Sequence, residues 1–122
     1  MTRARREAES RGRRAETVAA WLLRLKGYRI IARRFKTPVG EVDLIVQKGP
    51  VLAFVEVKHR REMAHLPEAV AARQRNRIAK AALSFVAQVP AAADAEIRFD
   101  VILVGRLPLI RHIRGAWRPA AG

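Results

Sequence analysis

Three carboxylates stand inside strand-like apolar segments of this chain, where a charge needs a partner. In GEVDLIV, Glu41 and Asp43 are two residues apart, and in VLAFVEVK, Glu56 and Lys58 repeat that spacing. Side chains two apart share one face of a strand. If the two segments pair antiparallel with position numbers summing to 99, Asp43 lies opposite Glu56 and Glu41 opposite Lys58. One face is then Val42, Leu44, Val46, Val51, Ala53, Val55 and Val57. The other has Ile45 and Phe54 in its middle and all four charges at the end away from the turn. A slip of one residue would drop Glu56 among Val42 and Leu44, so the aliphatic face selects the first register.

Two carboxylates ~4 Å apart repel by roughly 4 kcal/mol at an intermediate effective dielectric. One lysine offsets part of that, and a divalent cation offsets more. Aspartate and glutamate oxygens are hard ligands suited to Mg²⁺ or Mn²⁺. Such a site can hold a phosphate oxygen and activate a water, while Lys58 neutralises charge in the transition state. The alternative is a cross-strand ion-pair ladder at a sheet rim.

The elements that must position these groups follow from periodicity. A polar segment, MTRARREAE, comes first, and Ser10 is a candidate cap. Ala15, Val18, Ala19, Leu22 and Leu25 recur at helical spacing, and Gly27 ends the run. Tyr28–Phe35, Glu41–Gln47, Val51–Lys58 and Glu96–Val104 read as strands, with Leu109–Ile113 a short last one. Thr37–Gly40 is a turn. A second helix is expected from Pro67 to about Gln88. The order αβββαβ makes a single α/β domain the economical answer. Residues 1–9 form a basic flexible segment, 10–115 the domain and 116–122 a short tail.

Several side chains on this scaffold have two readings. Glu16 borders the apolar stripe of the first helix. Gln74 falls on the apolar line of the second, which continues through Ile78, Ala81, Phe85 and Val89. It either sits past the core's edge in water or points into the site. Arg73, Arg77 and Lys80 flank that helix as phosphate contacts or as a solvated face. Arg98 and Asp100 read as a structural ion pair near the site, and Trp21 as core. His59, His65 and His112 are too scattered for a zinc site. Tyr28, Phe35 and Trp117 do not make the spaced aromatic platform of single-strand binders. No GxxxxGK[ST] loop occurs, which argues against ATP use.

Composition narrows the partners. The 122 residues carry 25 Lys+Arg against 11 Asp+Glu, a formal charge of +14. Residues 1–36 hold 12 basic and 3 acidic side chains, so the charge is not one tail on a neutral body. A uniformly basic small protein meets a polyanion. The longest uncharged apolar run, Val18 to Leu23, has six residues, far short of a membrane span. Arg24 and Lys26 behind it make a poor signal peptide. The absence of cysteine excludes disulfides and Cys-based zinc sites and fits a cytoplasmic setting.

The segments GEVDLIV, VLAFVEVKHR and RFDVILV, in this order, resemble the YraN-like uncharacterised protein family, grouped with the restriction-endonuclease-like PD-(D/E)XK nucleases. The resemblance spans about Arg11 to Val104. It implies an αβββαβ core with a central mixed sheet flanked by helices, and a metal-dependent endonuclease using Mg²⁺ or Mn²⁺ on nucleic acid, DNA first, branched or damaged structures included. Asp43 then matches the acidic residue of the second nuclease motif, and Glu56 and Lys58 the third. Glu16 matches a first-helix glutamate that joins the site in related resolvases, although the family's Gly-Glu there reads Ala15-Glu16. Gln74 replaces a basic residue common on the second helix. The expected metal ligands are Asp43, Glu56 and the Val57 carbonyl, with Glu16 completing the acidic set and Glu41 and Gln74 behind it. Arg29, Arg33, Arg34, Lys36, Arg60, Arg73 and Arg77 are the expected backbone contacts. Many nucleases of this fold work as pairs, so a homodimer stays open, as does a non-catalytic nucleic-acid-binding module that keeps the fold.

Overall fold

Small residues at helical spacing let the first helix lie close on a sheet. In the computed structural model, which describes residues 2–60 and 71–119, α1 spans Arg3–Leu25 and buries Ala15, Ala19, Ala20 and Leu23. It begins ahead of Ser10 because the Thr2 hydroxyl accepts from the Arg5 N–H at 3.2 Å, and Arg3 pairs with Glu7 one turn on at 3.1 Å. Its residues before Ala15 bury nothing fully. Trp21 corrects an expectation. It is 59% exposed, on the outward face, with the Arg24 guanidinium 5.5 Å from its ring centre. The inward stripe is filled by alanines and Leu23, which leave no room for an indole.

Among the described residues five strands follow: β1 Arg29–Thr37, β2 Gly40–Lys48, β3 Val51–His59, β4 Glu96–Val104 and β5 Ile110–Ile113. They lie side by side in chain order. Pairs β1–β2, β2–β3 and β4–β5 are antiparallel, and β3–β4 is parallel. A parallel pair needs a crossover, and that connection carries α2, Ala72–Gln88. The expected start of α2 at Pro67, and His65, lie outside the described residues. The sheet is therefore mixed, as the family resemblance implies.

The two faces of the sheet carry separate cores. Leu44, Val46, Ala53, Val55 and Val57 pack with α1. Ile45, Leu52 and Phe54 pack with Ile78, Ala81, Ala82 and Phe85 of α2. Each of the Val, Leu, Ile and Phe side chains, once buried, contributes roughly 1.5–3 kcal/mol. Trp117, in the segment read as a tail, is buried against Phe99, ring centres 4.4 Å apart. Gly40 sets the spacing between β2 and α2: a Cβ there would lie 1.9 Å from the Arg77 carbonyl oxygen. No helix among the described residues is long and apolar enough to cross a membrane.

Candidate active site

One backbone irregularity aims the acidic groups. The β1–β2 ladder runs through Arg33↔Leu44 and resumes at Phe35↔Val42, omitting Arg34 and Asp43. Arg34 has φ +53°, the left-handed region that side chains other than Gly and Asn seldom adopt. Strict alternation fails there. Arg33 and Arg34 both turn to α1, where Arg33 Nη2 donates to Thr17 Oγ1 at 3.2 Å and Arg34 Nε to Glu16 Oε1 at 2.9 Å. Phe35 returns to the α2 side, edge-on to Phe85 at 5.5 Å. Opposite, Val42 joins the α2 core rather than the aliphatic face with Leu44. The expectation for Val42 is thus corrected, because the alternation resets at Asp43.

The β2–β3 register matches the predicted one from Lys48↔Val51 to Leu44↔Val55. The ladder ends there, and the Asp43 side chain takes over: its Oδ2 accepts from the Val57 N–H at 2.8 Å. Glu56, on the same side as Phe54, is buried. Burial raises its carboxyl to about 9. The hydrogen bond to Asp43 and that residue's charge push the same way, while Lys58 pulls it down and Glu41 adds to the rise. Lys58 Nζ stands 3.9 Å from Glu56 Oε1. Glu56 therefore holds a proton at neutral pH in the absence of metal, and a cation is the other way to relieve the crowding.

Among the described residues, no three His, Asp or Glu side chains stand together so as to hold a metal ion among them. The donor set is open: two carboxylates, with solvent access from two cavities. Mg²⁺ keeps several waters and takes one or two carboxylates plus substrate phosphate, so the pair fits such an ion. A cavity of about 360 Å³ is lined by Arg13, Glu16, Arg34, Lys36, Glu41 and Asp43 among others. A second, of about 290 Å³, is lined by Glu41, Asp43, Glu56, Arg73, Gln74 and Arg77 together with Ala71. Asp43 and Glu41 belong to both.

Most of the expected residues thus gather: Glu16, Glu41, Asp43, Glu56, Lys58 and Gln74, with Arg34, Lys36, Arg73 and Arg77 at the cavity walls. Gln74 is half-buried and faces the second cavity rather than open water. Arg29 is not brought there. It pairs with Gln47 at 3.0 Å, at the end of the sheet away from Asp43, because β1 runs antiparallel to β2. Arg60 reaches the His59 carbonyl at 2.9 Å, and its own N–H donates to Val104 at 3.0 Å.

Arg98 and Asp100 are an ion pair, but on the α1 face, opposite the face that carries Glu56. In register, Asp100 lies beside Val55. Asp100 is wholly buried and accepts from Arg98 at 2.8 Å through both oxygens. It also meets His112 Nε2 at 2.8 Å and the Gly115 N–H at 3.0 Å. Burial alone would raise this carboxyl. The hydrogen bonds from His112, Arg98 and Gly115 overcome that and hold it at about 2. Arg98 also donates to the Tyr28 hydroxyl, and Lys26 Nζ lies 2.6 Å from His112 Nδ1. The pair is a structural rivet joining the end of α1, β4 and β5. Sequence reasoning missed His112 and Tyr28 as its partners because they are far from Asp100 along the chain.

The sequence model of Uncharacterised protein family UPF0102 matches residues 15–104. A UPF0102 protein of Parvibaculum lavamentivorans is 51% identical over 108 residues, covering 88% of this chain and 81% of that protein. UPF0102 protein amb4503 of Paramagnetospirillum magneticum is 45% identical over 121 residues, covering 96% and 94%. Among solved structures, Archaeoglobus fulgidus Hjc, a Holliday junction resolvase, aligns with a TM-score of 0.54 at 19% identity, covering 83% of this chain and 74% of that one. At that identity the likeness is one of fold: the mixed sheet between two helices is that of a nuclease-fold protein.

Proposed function

The chain belongs to Uncharacterised protein family UPF0102, and from that premise and the site's geometry we propose that it is a metal-dependent nuclease hydrolysing DNA phosphodiester bonds in the cytoplasm, with branched or damaged DNA as its substrate class. The observation that carries this reading is the Asp43–Glu56 pair, two carboxylates forced together where β2 and β3 cease to pair, with Lys58 beside them. A structural ion ladder would place opposite charges opposite each other. Here two carboxyl groups meet, and ionising both at once carries a burial and repulsion penalty that a divalent cation offsets. The fold shared with a Holliday junction resolvase supports branched DNA as the first substrate to try.

Asp43, Glu56 and the Val57 carbonyl would hold Mg²⁺ or Mn²⁺. The ion would supply charge against the phosphate and lower the pKa of a bound water. Lys58 orients the attacking water and carries positive charge to the phosphate as negative charge builds there. Glu41 deepens the negative potential around the pair. Arg73 and Arg77 on α2, and Arg34 and Lys36 on β1, grip the backbone on either side through the two cavities.

The test is a panel of labelled linear, flap and four-way-junction DNAs with Mn²⁺. Wild type should cut at least one of them. Lys58→Ala and Asp43→Asn should lose cleavage by roughly 10²-fold or more, as for loss of one transition-state contact, with unchanged circular dichroism. Equal, zero cleavage by all three proteins on every substrate would overturn the enzyme and leave a binding module with a nuclease fold.

A further inference from the structure

We infer that Arg34 is a positioning residue: it keeps Glu16 out of the cation site until a backbone phosphate takes its guanidinium. The inference rests on the nuclease reading above. Arg34 and Asp43 face each other at a gap in the β1–β2 ladder, separate from the register shift at Ile31. The positive φ of Arg34 turns its side chain to α1, onto Glu16 at 2.9 Å. The same distortion frees Asp43 to reach the Val57 N–H. An anion-seeking group and a cation-seeking group are thus aimed by one feature of the backbone.

The pairing is built to be exchanged. The Glu16 side chain is 12% exposed, whereas that of Arg34 is 42% exposed, so an arriving anion meets the guanidinium first. A partly exposed guanidinium–carboxylate pair is worth little. A phosphodiester offers the same guanidinium the two-oxygen contact it favours. Lys36 lines the same cavity and adds to its pull on phosphate. Once released, Glu16 stands in a cavity that Asp43 also lines, with an uncompensated charge that a divalent cation relieves. Nucleic acid and metal then bind with positive coupling, and linkage requires the coupling to be reciprocal. Without nucleic acid, the arginine keeps the acidic set incomplete and the site idle.

Mn²⁺ binding, read by titration calorimetry and by the free-Mn²⁺ electron paramagnetic resonance signal, tests this without any turnover. Arg34→Gly and Arg34→Asn both tolerate the left-handed backbone and remove the guanidinium. Each should bind Mn²⁺ roughly fivefold tighter than wild type or more, the lower end of ordinary site-to-site coupling. Arg34→Lys, which keeps the charge, should return affinity toward wild type. Adding Glu16→Gln to Arg34→Gly should abolish the gain. In a Lys58→Ala background, which leaves the DNA intact, a short duplex should tighten Mn²⁺ binding when Arg34 is present and not when it is Gly. If Arg34→Gly and Arg34→Asn bind no tighter than wild type, while Asp43→Asn still abolishes wild-type binding, the exchange is wrong and the metal site stands. If neither wild type nor Arg34→Gly binds Mn²⁺, with or without the duplex, the nuclease reading falls and the exchange with it.

Discussion

Replacing Glu56 by Gln should stabilise the metal-free protein at neutral pH. Glu56 is buried, and its carboxyl is raised from 4.5 to about 9 by burial and by Asp43. Between those two values the folded state binds a proton that the unfolded state has released, so stability falls as pH rises. Below 4.5 the group is protonated in both states and adds no slope; above about 9 the loss is complete. At pH 7 the accumulated loss is on the order of 3 kcal/mol, from about 1.4 kcal/mol per pKa unit. The Gln amide can donate to Asp43 as the protonated acid does, and it carries no charge to desolvate. Urea melts in EDTA from pH 5 to pH 9 should therefore show wild type losing stability toward high pH and Glu56→Gln nearly level, the variant being the more stable above pH 7. Saturating Mn²⁺ should restore wild type by binding only the folded state, and should do little for the variant. A wild-type curve that is level over this range, or a variant less stable than wild type at pH 8, would refute the argument that the carboxylates are held together against their charge.

The rivet on the other face behaves oppositely. Asp100, held at about 2, contributes stability that is fully present above its ordinary value near 4 and lost as pH falls through about 2. Asp100→Asn should lower stability by about 3–5 kcal/mol, as when one partner of a buried pair is removed, and should flatten the acid limb of the urea-midpoint profile. Gly40→Ala would drive a methyl into the Arg77 carbonyl; the backbone shift should lower thermal stability by about 1–3 kcal/mol and reduce cleavage by moving Arg73, Gln74 and Arg77 relative to Asp43. Loss of cleavage with full folding in Lys58→Ala, measured on the substrate panel above, completes the set.

How far the chain could be read in advance depended on the range of the forces involved. Alternation in GEVDLIV and VLAFVEVK carried the strand pairing, since a slipped register would bury Glu56 among aliphatics. The place where that alternation stops was not legible. Nothing in Arg33-Arg34 announces a left-handed residue, and its effect on Val42 depends on the facing strand. Trp21 misled because aromatic residues usually go inside, yet the alanines that let α1 approach the sheet leave no space there. Asp100 looked like one half of a local pair; His112 and the Gly115 N–H, which complete its hydrogen bonds, and Tyr28, which holds Arg98, come from other segments that only the folded sheet adjoins. Gly40 read as a turn glycine, whereas its missing Cβ is required by a helix that comes later in the chain.

The first helix is two-natured along its length. From Ala15 on it is clamped to the sheet, while Arg3 to Arg14, roughly 18 Å at the usual rise, has no buried side chain. A dozen residues of isolated helix are marginal in water. Backbone amides in that stretch should therefore exchange with solvent long before those of Ala19 to Leu23, and a protease should trim the arm while the rest of the molecule survives. The unit that melts cooperatively should begin near Ala15, where the buried face of the helix begins.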